Sequence, residues 1–321
     1  MDFFKYKDFT YAVSEDKSVS EDKWVVQYKR DGYTSYAQLK SFQNVNLAYE
    51  YRVGQFCNKM GKKTPLFLET YGLYLQVQPD VPLYESLLPI RPENPVVCKS
   101  PERVYLLRQH IPAKSLDQFV KNPHFFIYDA LYVFYSIYFT LSMLRKVFTH
   151  HHLGCENVLL YKPLNGYIEY HYHLPKEVVR FKSLYGVKIT NDGRSFVKGL
   201  HPTKGLHPTK GQDSSCLPNQ DRKNESQDLQ LLKEYQKLTR MKPHPNKYIQ
   251  SFVQVFEDID FKEESGKIHN VSDAEKRLRS LIQDPVRQRI NDLSYTNYQK
   301  IGDLHVYTNG KEVEFISQKN I

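Results

Sequence analysis

Cysteine is scarce, with four in 321 residues, and Cys57, Cys98, Cys155 and Cys216 form neither a Cys-x-x-Cys pair nor a framework spacing. That excludes a disulfide scaffold, and reduced thiols in a cytoplasmic compartment are expected. No signal peptide pattern opens the chain. No block of five or more like charges occurs either, so the net charge of +9 reads as a solvated surface rather than a nucleic-acid stripe. Tryptophan occurs once and methionine four times, against 25 tyrosines, which points to compositional bias and aromatic packing. Also missing is a Gly-x-Gly-x-x-Gly loop ahead of Lys40, where only Gly32 is available.

What is present reads as short strands followed by helices. Trp24-Val25-Val26-Gln27-Tyr28 and Ser35-Tyr36-Ala37-Gln38-Leu39 flank Asp31-Gly32, a hairpin pattern. From Leu47 to Met60 the period becomes helical, with Tyr49, Val53, Phe56, Cys57 and Met60 on one face. Val104-Tyr105-Leu106-Leu107 reads as a strand, and a short helix is expected around Ser115. Residues 125–144 have the length of a membrane span, with one acid, Asp129. Tyrosines at 128, 132, 135 and 138 and flanks without a clear basic anchor pattern make a buried core helix the better reading. Strands are expected at 158–161, 167–172 and 187–189. The tract 198–227 is polar and repeats Lys-Gly-Leu-His-Pro-Thr at 198–203 and 204–209, so a mobile insertion is expected. Its Thr203 and Thr209 are candidate phosphoacceptors. Helices are expected near 227–240 and 246–257, and one from 272 opened by a capping box of Ser272 and Glu275. A closing hairpin is centred on Asn309-Gly310.

Phosphoryl transfer needs a lysine on the phosphates, a glutamate on that lysine, a loop carboxylate, and metal-binding oxygens. Lys40 ends a strand and Glu50 follows ten residues later on a helix. A surface ion pair would explain the two alone. Then His150-His151-His152-Leu153-Gly154-Cys155-Glu156-Asn157 has the frame of H-R-D-L-x-x-x-N, with His152 at the aspartate position. Lys188-Ile189-Thr190-Asn191-Asp192-Gly193 fits a strand entering D-x-G, with Asn191 at the aspartate position and Asp192 one residue late. Asp228 opens a later helix, as an acid bracing the 150–157 loop would.

Longer strings make this specific. Tyr49-Glu50-Tyr51-Arg52-Val53-Gly54, Pro65-Leu66-Phe67-Leu68-Glu69-Thr70-Tyr71-Gly72, Arg108-Gln109-His110-Ile111, Tyr167-Ile168-Glu169-Tyr170-His171-Tyr172 and Gly193-Arg194-Ser195-Phe196 resemble the serine/threonine protein kinases of nucleocytoplasmic large DNA viruses, over most of 35–320. The resemblance implies an α+β, bilobal protein-kinase-like fold. A small β-rich lobe over 1–107 would precede a larger helical lobe over 108–321, with a hinge near 107–111. It implies ATP as ligand, held by Lys40 and Glu50 with Asn191 and Asp192, metal at Asn157 and Asn191, and structural roles for His150 and Asp228. Family members usually carry T-H-Y-D-L-H-x-x-N and K-I-I-D-Y-G-R-S, so both aspartates are substituted in this chain.

An imidazole beside bound Mg²⁺ gains no favourable charge term, and a carboxamide is a poor ligand for a hard dication. Mg²⁺ binding is therefore weakened by both substitutions. The sequence points to a pseudokinase or strongly impaired Ser/Thr kinase, acting by binding a protein partner or as a virion component, in virion or host cytoplasm. Two alternatives stay open: an active kinase using His152 as base, and a capsid-associated structural protein. Nucleic acid and membrane are not expected partners. His150, His151, His152, His171 and His173 suggest metal, but no carboxylate or cysteine completes a spacing, so structural histidines are expected. Cys155 reads as an inert small residue.

Overall fold

The computed structural model describes residues 9–18, 21–30, 33–42, 47–76, 87–89, 104–163, 166–190, 194–200, 227–239, 246–259 and 267–318. Asn191, Asp192, Gly193 and nearly all of the duplicated tract, with Thr203 and Thr209, lie outside them. In chain order the first strands are β1 (Phe9–Ser18), β2 (Glu21–Arg30) and β3 (Tyr33–Phe42), then helix α1 (Leu47–Gly61). β4 (Thr70–Gln76), β5 (Leu87–Pro89), β6 (Val104–Gln109) and β7 (Lys114–Ser115) follow. Next come α2 (Pro123–Tyr128), α3 (Ala130–Leu144), β8 (Phe148–Thr149), β9 (Val158–Tyr161), β10 (Gly166–His173), β11 (Val178–Ser183), β12 (Gly186–Ile189) and β13 (Phe196–Val197). The chain continues through α4 (Gln230–Thr239), α5 (Lys247–Glu257), α6 (Val271–Ile282), α7 (Pro285–Ser294), β14 (Gln299–Tyr307) and β15 (Glu314–Ser317). The fold is α+β, and its residues divide into two compact units.

The first unit holds the described residues up to Lys59, those from Leu68 to Pro112, and 194–200. Its six strands run in the order β1-β2-β3-β6-β4-β5, every neighbour antiparallel. The expected hairpin is present, with Arg30 opposite Tyr33. Strand alternation sorts the residues by face. Val26, Ala37, Leu39, Tyr105 and Leu107 pack together on one side. Leu73, Val104 and Leu106 turn to the other, where Leu47 and Tyr51 of α1 cover them. Helix and sheet meet closely at Gly54, where a side chain would run into Thr70. Asn58 locks that approach, its Nδ2 donating to the Thr70 carbonyl at 2.6 Å and its Oδ1 accepting from the Thr70 N–H at 2.9 Å.

The second unit holds Met60–Phe67, Ala113–Thr190 and the described residues from 227 onward. It carries a four-stranded sheet, β11-β10-β14-β15, in which β10 and β14 run parallel, and a three-stranded sheet, β12-β9-β7. Helix α3 is buried along nearly its whole length. On one side Tyr132 stacks on Phe181 at 4.9 Å and Phe139 meets Tyr172 at 4.6 Å. On another, Phe134 meets Tyr235 at 4.9 Å and Phe256 at 5.6 Å. The abundant tyrosine is therefore core material, each ring pair adding to area burial about 0.5–1.5 kcal/mol. No helix among the described residues is long and apolar enough to cross a membrane.

Two expectations need correction. The apolar stretch 125–144 is not one helix: it breaks at Asp129, which ends α2 and begins α3. Asp129 is buried there and accepts the Tyr295 hydroxyl at 2.7 Å, which gives the stretch's single carboxylate a donor. Nor do Ser272 and Glu275 form a capping box. Asn270 caps α6 by accepting from the Ser272 and Asp273 N–H groups, and Glu275 pairs instead with Arg279. Asn is as good an N-cap as Ser, and it stands two residues earlier. The closing hairpin forms as expected, with Gly310 at φ +86°, a left-handed turn position that glycine adopts without strain.

Candidate functional site

In the first unit the pleat decides where Lys40 points. Leu39 faces the β2–β6 core, so Lys40 faces the opposite side, and its register partner is Leu106, which lies under α1. Glu50 stands in the first turn of that helix. The Lys40 ammonium lies 3.3 Å from Glu50 Oε1 and 3.4 Å from Oε2. With side chains 13% and 1% exposed, this is a buried ion pair rather than a surface one. On the same helix the Tyr49 hydroxyl donates to the Ser195 carbonyl at 2.8 Å. Burial pushes the Tyr49 phenol up to about 12, so it remains a neutral donor.

In the second unit α3 leads through β8 into the 150–157 loop. Asp228, in a one-turn 3-10 helix ahead of α4, is 2% exposed and accepts the backbone N–H groups of His150 and His151, each at 2.9 Å. Burial pushes its carboxyl up to about 7, against the pull of those two donors. The clamp spans a turn in which His151 adopts φ +62°, a left-handed conformation uncommon for a residue with a side chain. The His150 ring is also buried, and its Nε2 donates to the Thr190 carbonyl at 2.8 Å.

Asn157 closes the loop from the far end. Its Nδ2 donates to the His152 carbonyl at 2.9 Å, and its Oδ1 accepts the Thr190 hydroxyl at 3.2 Å. The Thr190 N–H donates to the Asn157 carbonyl at 3.0 Å, continuing the β9–β12 pairing of Ile189 with Val158. Thus His150, His152, Asn157 and Asp228 come together with the residue that precedes Asn191. Thr190 was not singled out from the sequence, although the frame that located Asn191 also held it. Cys155 is buried, and burial pushes its thiol well up, which leaves it a poor nucleophile.

The donor set of this loop can be tested against Mg²⁺. Magnesium favours carboxylate oxygens in near-octahedral array. The described loop offers a half-buried imidazole at His152 and a carboxamide at Asn157 already engaged on both atoms. The Asp228 carboxylate is turned to backbone N–H groups, and Glu156 accepts from Asn157 Nδ2 at 3.2 Å. These residues do not fit a magnesium site, so no catalytic step is derived through the metal.

No protein-family model matches the chain, and no curated protein does. Among solved structures it is similar to the crystal structure of the PF14_0431 kinase domain, at 14% identity and a TM-score of 0.36. The match covers 60% of this chain and about half, 52%, of that structure. A likeness this low carries no argument, so the functional reading rests on the geometry above.

Proposed function

We propose that this chain is a protein-kinase-like protein that works by binding rather than by phosphoryl transfer, a pseudokinase of the kind of protein large DNA viruses encode. One observation carries the reading: a loop clamped by Asp228 and tied to the β12 end by His150 and Asn157, in which His152 holds the position that the sequence frame gives to an aspartate. In a kinase such a clamp positions a base and a metal ligand, and here the scaffold stands while the carboxylate is replaced. The buried Lys40–Glu50 pair fits a phosphate-holding role and supports ATP as the ligand. Asn191 and Asp192 complete the proposed nucleotide set, with Mg²⁺ contributing little. The partner is another protein, in the virion or host cytoplasm, which this chain would scaffold or regulate.

The test is a phosphotransfer assay on a generic protein substrate, run beside a thermal-shift titration with ATP. The wild type is expected to shift with ATP yet turn over far below the roughly 1–100 per second of ordinary kinases. His152→Asp combined with Asn191→Asp should raise the rate far more than either change alone, since base and metal site act as a unit. Normal wild-type turnover that His152→Ala abolishes would make His152 a working base and overturn the proposal.

A further inference from the structure

Two strands that lie far apart in sequence carry the same string. Strand β10 reads Glu169-x-His171-x-His173 and β14 reads Asp303-x-His305-x-Tyr307, acid, imidazole and ring at alternate positions. The strands pair in parallel, and the register sets Glu169 against Asp303, His171 against His305 and His173 against Tyr307. Alternation puts all six on the face turned away from the buried Tyr170, Tyr172 and Val306. Like groups therefore meet like groups across the ladder.

Two carboxylates directly opposite on one sheet face repel each other unless a cation lies between them. Lys300 supplies one, its Nζ 2.9 Å from Glu169 Oε2 and 2.7 Å from Asp303 Oδ1. His171 Nε2 reaches the same place, 2.9 Å from Asp303 Oδ1 and 3.6 Å from Glu169 Oε1. Ligand atoms of Glu169, His171 and Asp303 all lie within 4.8 Å of one another. The imidazole is also held from behind, since His305 stacks on it at 4.4 Å and is itself hydrogen-bonded to His173 at 2.9 Å. Three ligand groups thus converge, one ring nitrogen and two carboxylates, beside a stacked ring that fixes the imidazole, the donor types that hold zinc.

We propose that Glu169, His171 and Asp303 bind a divalent transition-metal ion, with Zn²⁺ as the fitting cation, and that Lys300 holds its place when metal is scarce. Two carboxylates and an imidazole supply three ligands at the distances zinc accepts after small side-chain rotations, and water takes the fourth position. The ion replaces one positive charge with two between the same carboxylates, and Lys300 swings out to solvent. The site lies on one sheet and is independent of the kinase-like reading.

The experiment is calorimetric titration of Zn²⁺ into the chelator-stripped full chain, repeated with Co²⁺ to read the visible absorption of a low-coordinate site. One ion per chain is expected, with His171→Gln or Asp303→Asn weakening binding at least about tenfold, as loss of a ligand should. Lys300→Met removes the competitor and should tighten binding, and this variant decides the matter even where a ligand variant folds poorly. Absent saturable binding in the wild type, or zinc affinity unchanged by Lys300→Met, overturns the proposal.

Discussion

Replacing Lys40 by Met tests whether the pair in the first unit is buried in the energetic as well as the geometric sense. Glu50 is 1% exposed and its carboxylate has Lys40 within 3.3 Å. Methionine keeps most of the apolar stem but leaves the carboxylate without its counter-charge in a place water does not reach. Removing one partner of a buried ion pair costs about 3–5 kcal/mol, whereas an exposed pair is worth about 0–1 kcal/mol. Geometry places this pair in the first class, because Lys40 shares its face with Leu106, under α1. A loss of that size is a large part of the roughly 5–15 kcal/mol that holds an ordinary domain folded.

The companion is the double variant Lys40→Met with Glu50→Leu. With both charges gone, the helix and sheet meet through apolar groups, and most of the lost stability should return. Urea denaturation of wild type, both single variants and the double variant gives the coupling directly. Both single variants are expected to lose several kcal/mol and the double variant much less than their sum. A Lys40→Met loss below about 1 kcal/mol would show that water reaches the pair and refute the reasoning.

Two further expectations concern buried acids. Asp228→Asn cannot accept both N–H groups with its amide, so the His150 and His151 amides should exchange faster with solvent, read by hydrogen-exchange mass spectrometry. Burial raises the Asp228 carboxyl from the usual range to about 7, so its contribution to stability is fully present below about pH 4. That contribution is lost as pH rises through about 7, and the Asn variant should remove this segment of the pH–stability profile. Asp129 behaves alike with its carboxyl pushed up to about 6, and Tyr295→Phe, which deletes its donor, should cost about 1–3 kcal/mol in thermal denaturation.

Local patterns were legible in the sequence, and long-range ones were not. The β2–β3 hairpin, α1 and the closing hairpin could be read because alternation, helical period and the Asn309-Gly310 turn are written in adjacent residues. Lys40, Glu50, His150 and Asn157 were placed by the spacing of a known frame, and Asp228 by its position at a helix start. The partner of the break at Asp129 could not be read, because the hydroxyl that meets its carboxylate comes from Tyr295, 166 residues away. The capping box at Ser272 failed for a local reason, a competing Asn two residues earlier. Beside His171, Glu169 stood two residues away and could have been read, whereas Asp303 was hidden because β14 supplies it across a parallel pairing that leaves no short spacing to find.

The Lys40–Glu50 pair and the Asp228 clamp share a property that bears on the proposed function. A buried Lys–Glu pair is weak support for stability, since well-packed apolar residues of similar volume would often hold a fold as well or better. The same holds for Asp228, whose burial opposes its ionised form while it secures a turn in which His151 sits at φ +62°. Neither arrangement is the cheapest way to pack a helix on a sheet or to join β8 to β9. Both make sense as positioning devices, one aiming an ammonium and the other shaping a loop. A purely structural block would need neither, whereas a working kinase would need both together with two carboxylates, whose positions the proposed reading gives to His152 and Asn191. On the proposed reading, positioning kept while proton transfer and metal binding are weakened is the pattern expected of a protein that recognises a nucleotide or a partner without turning it over.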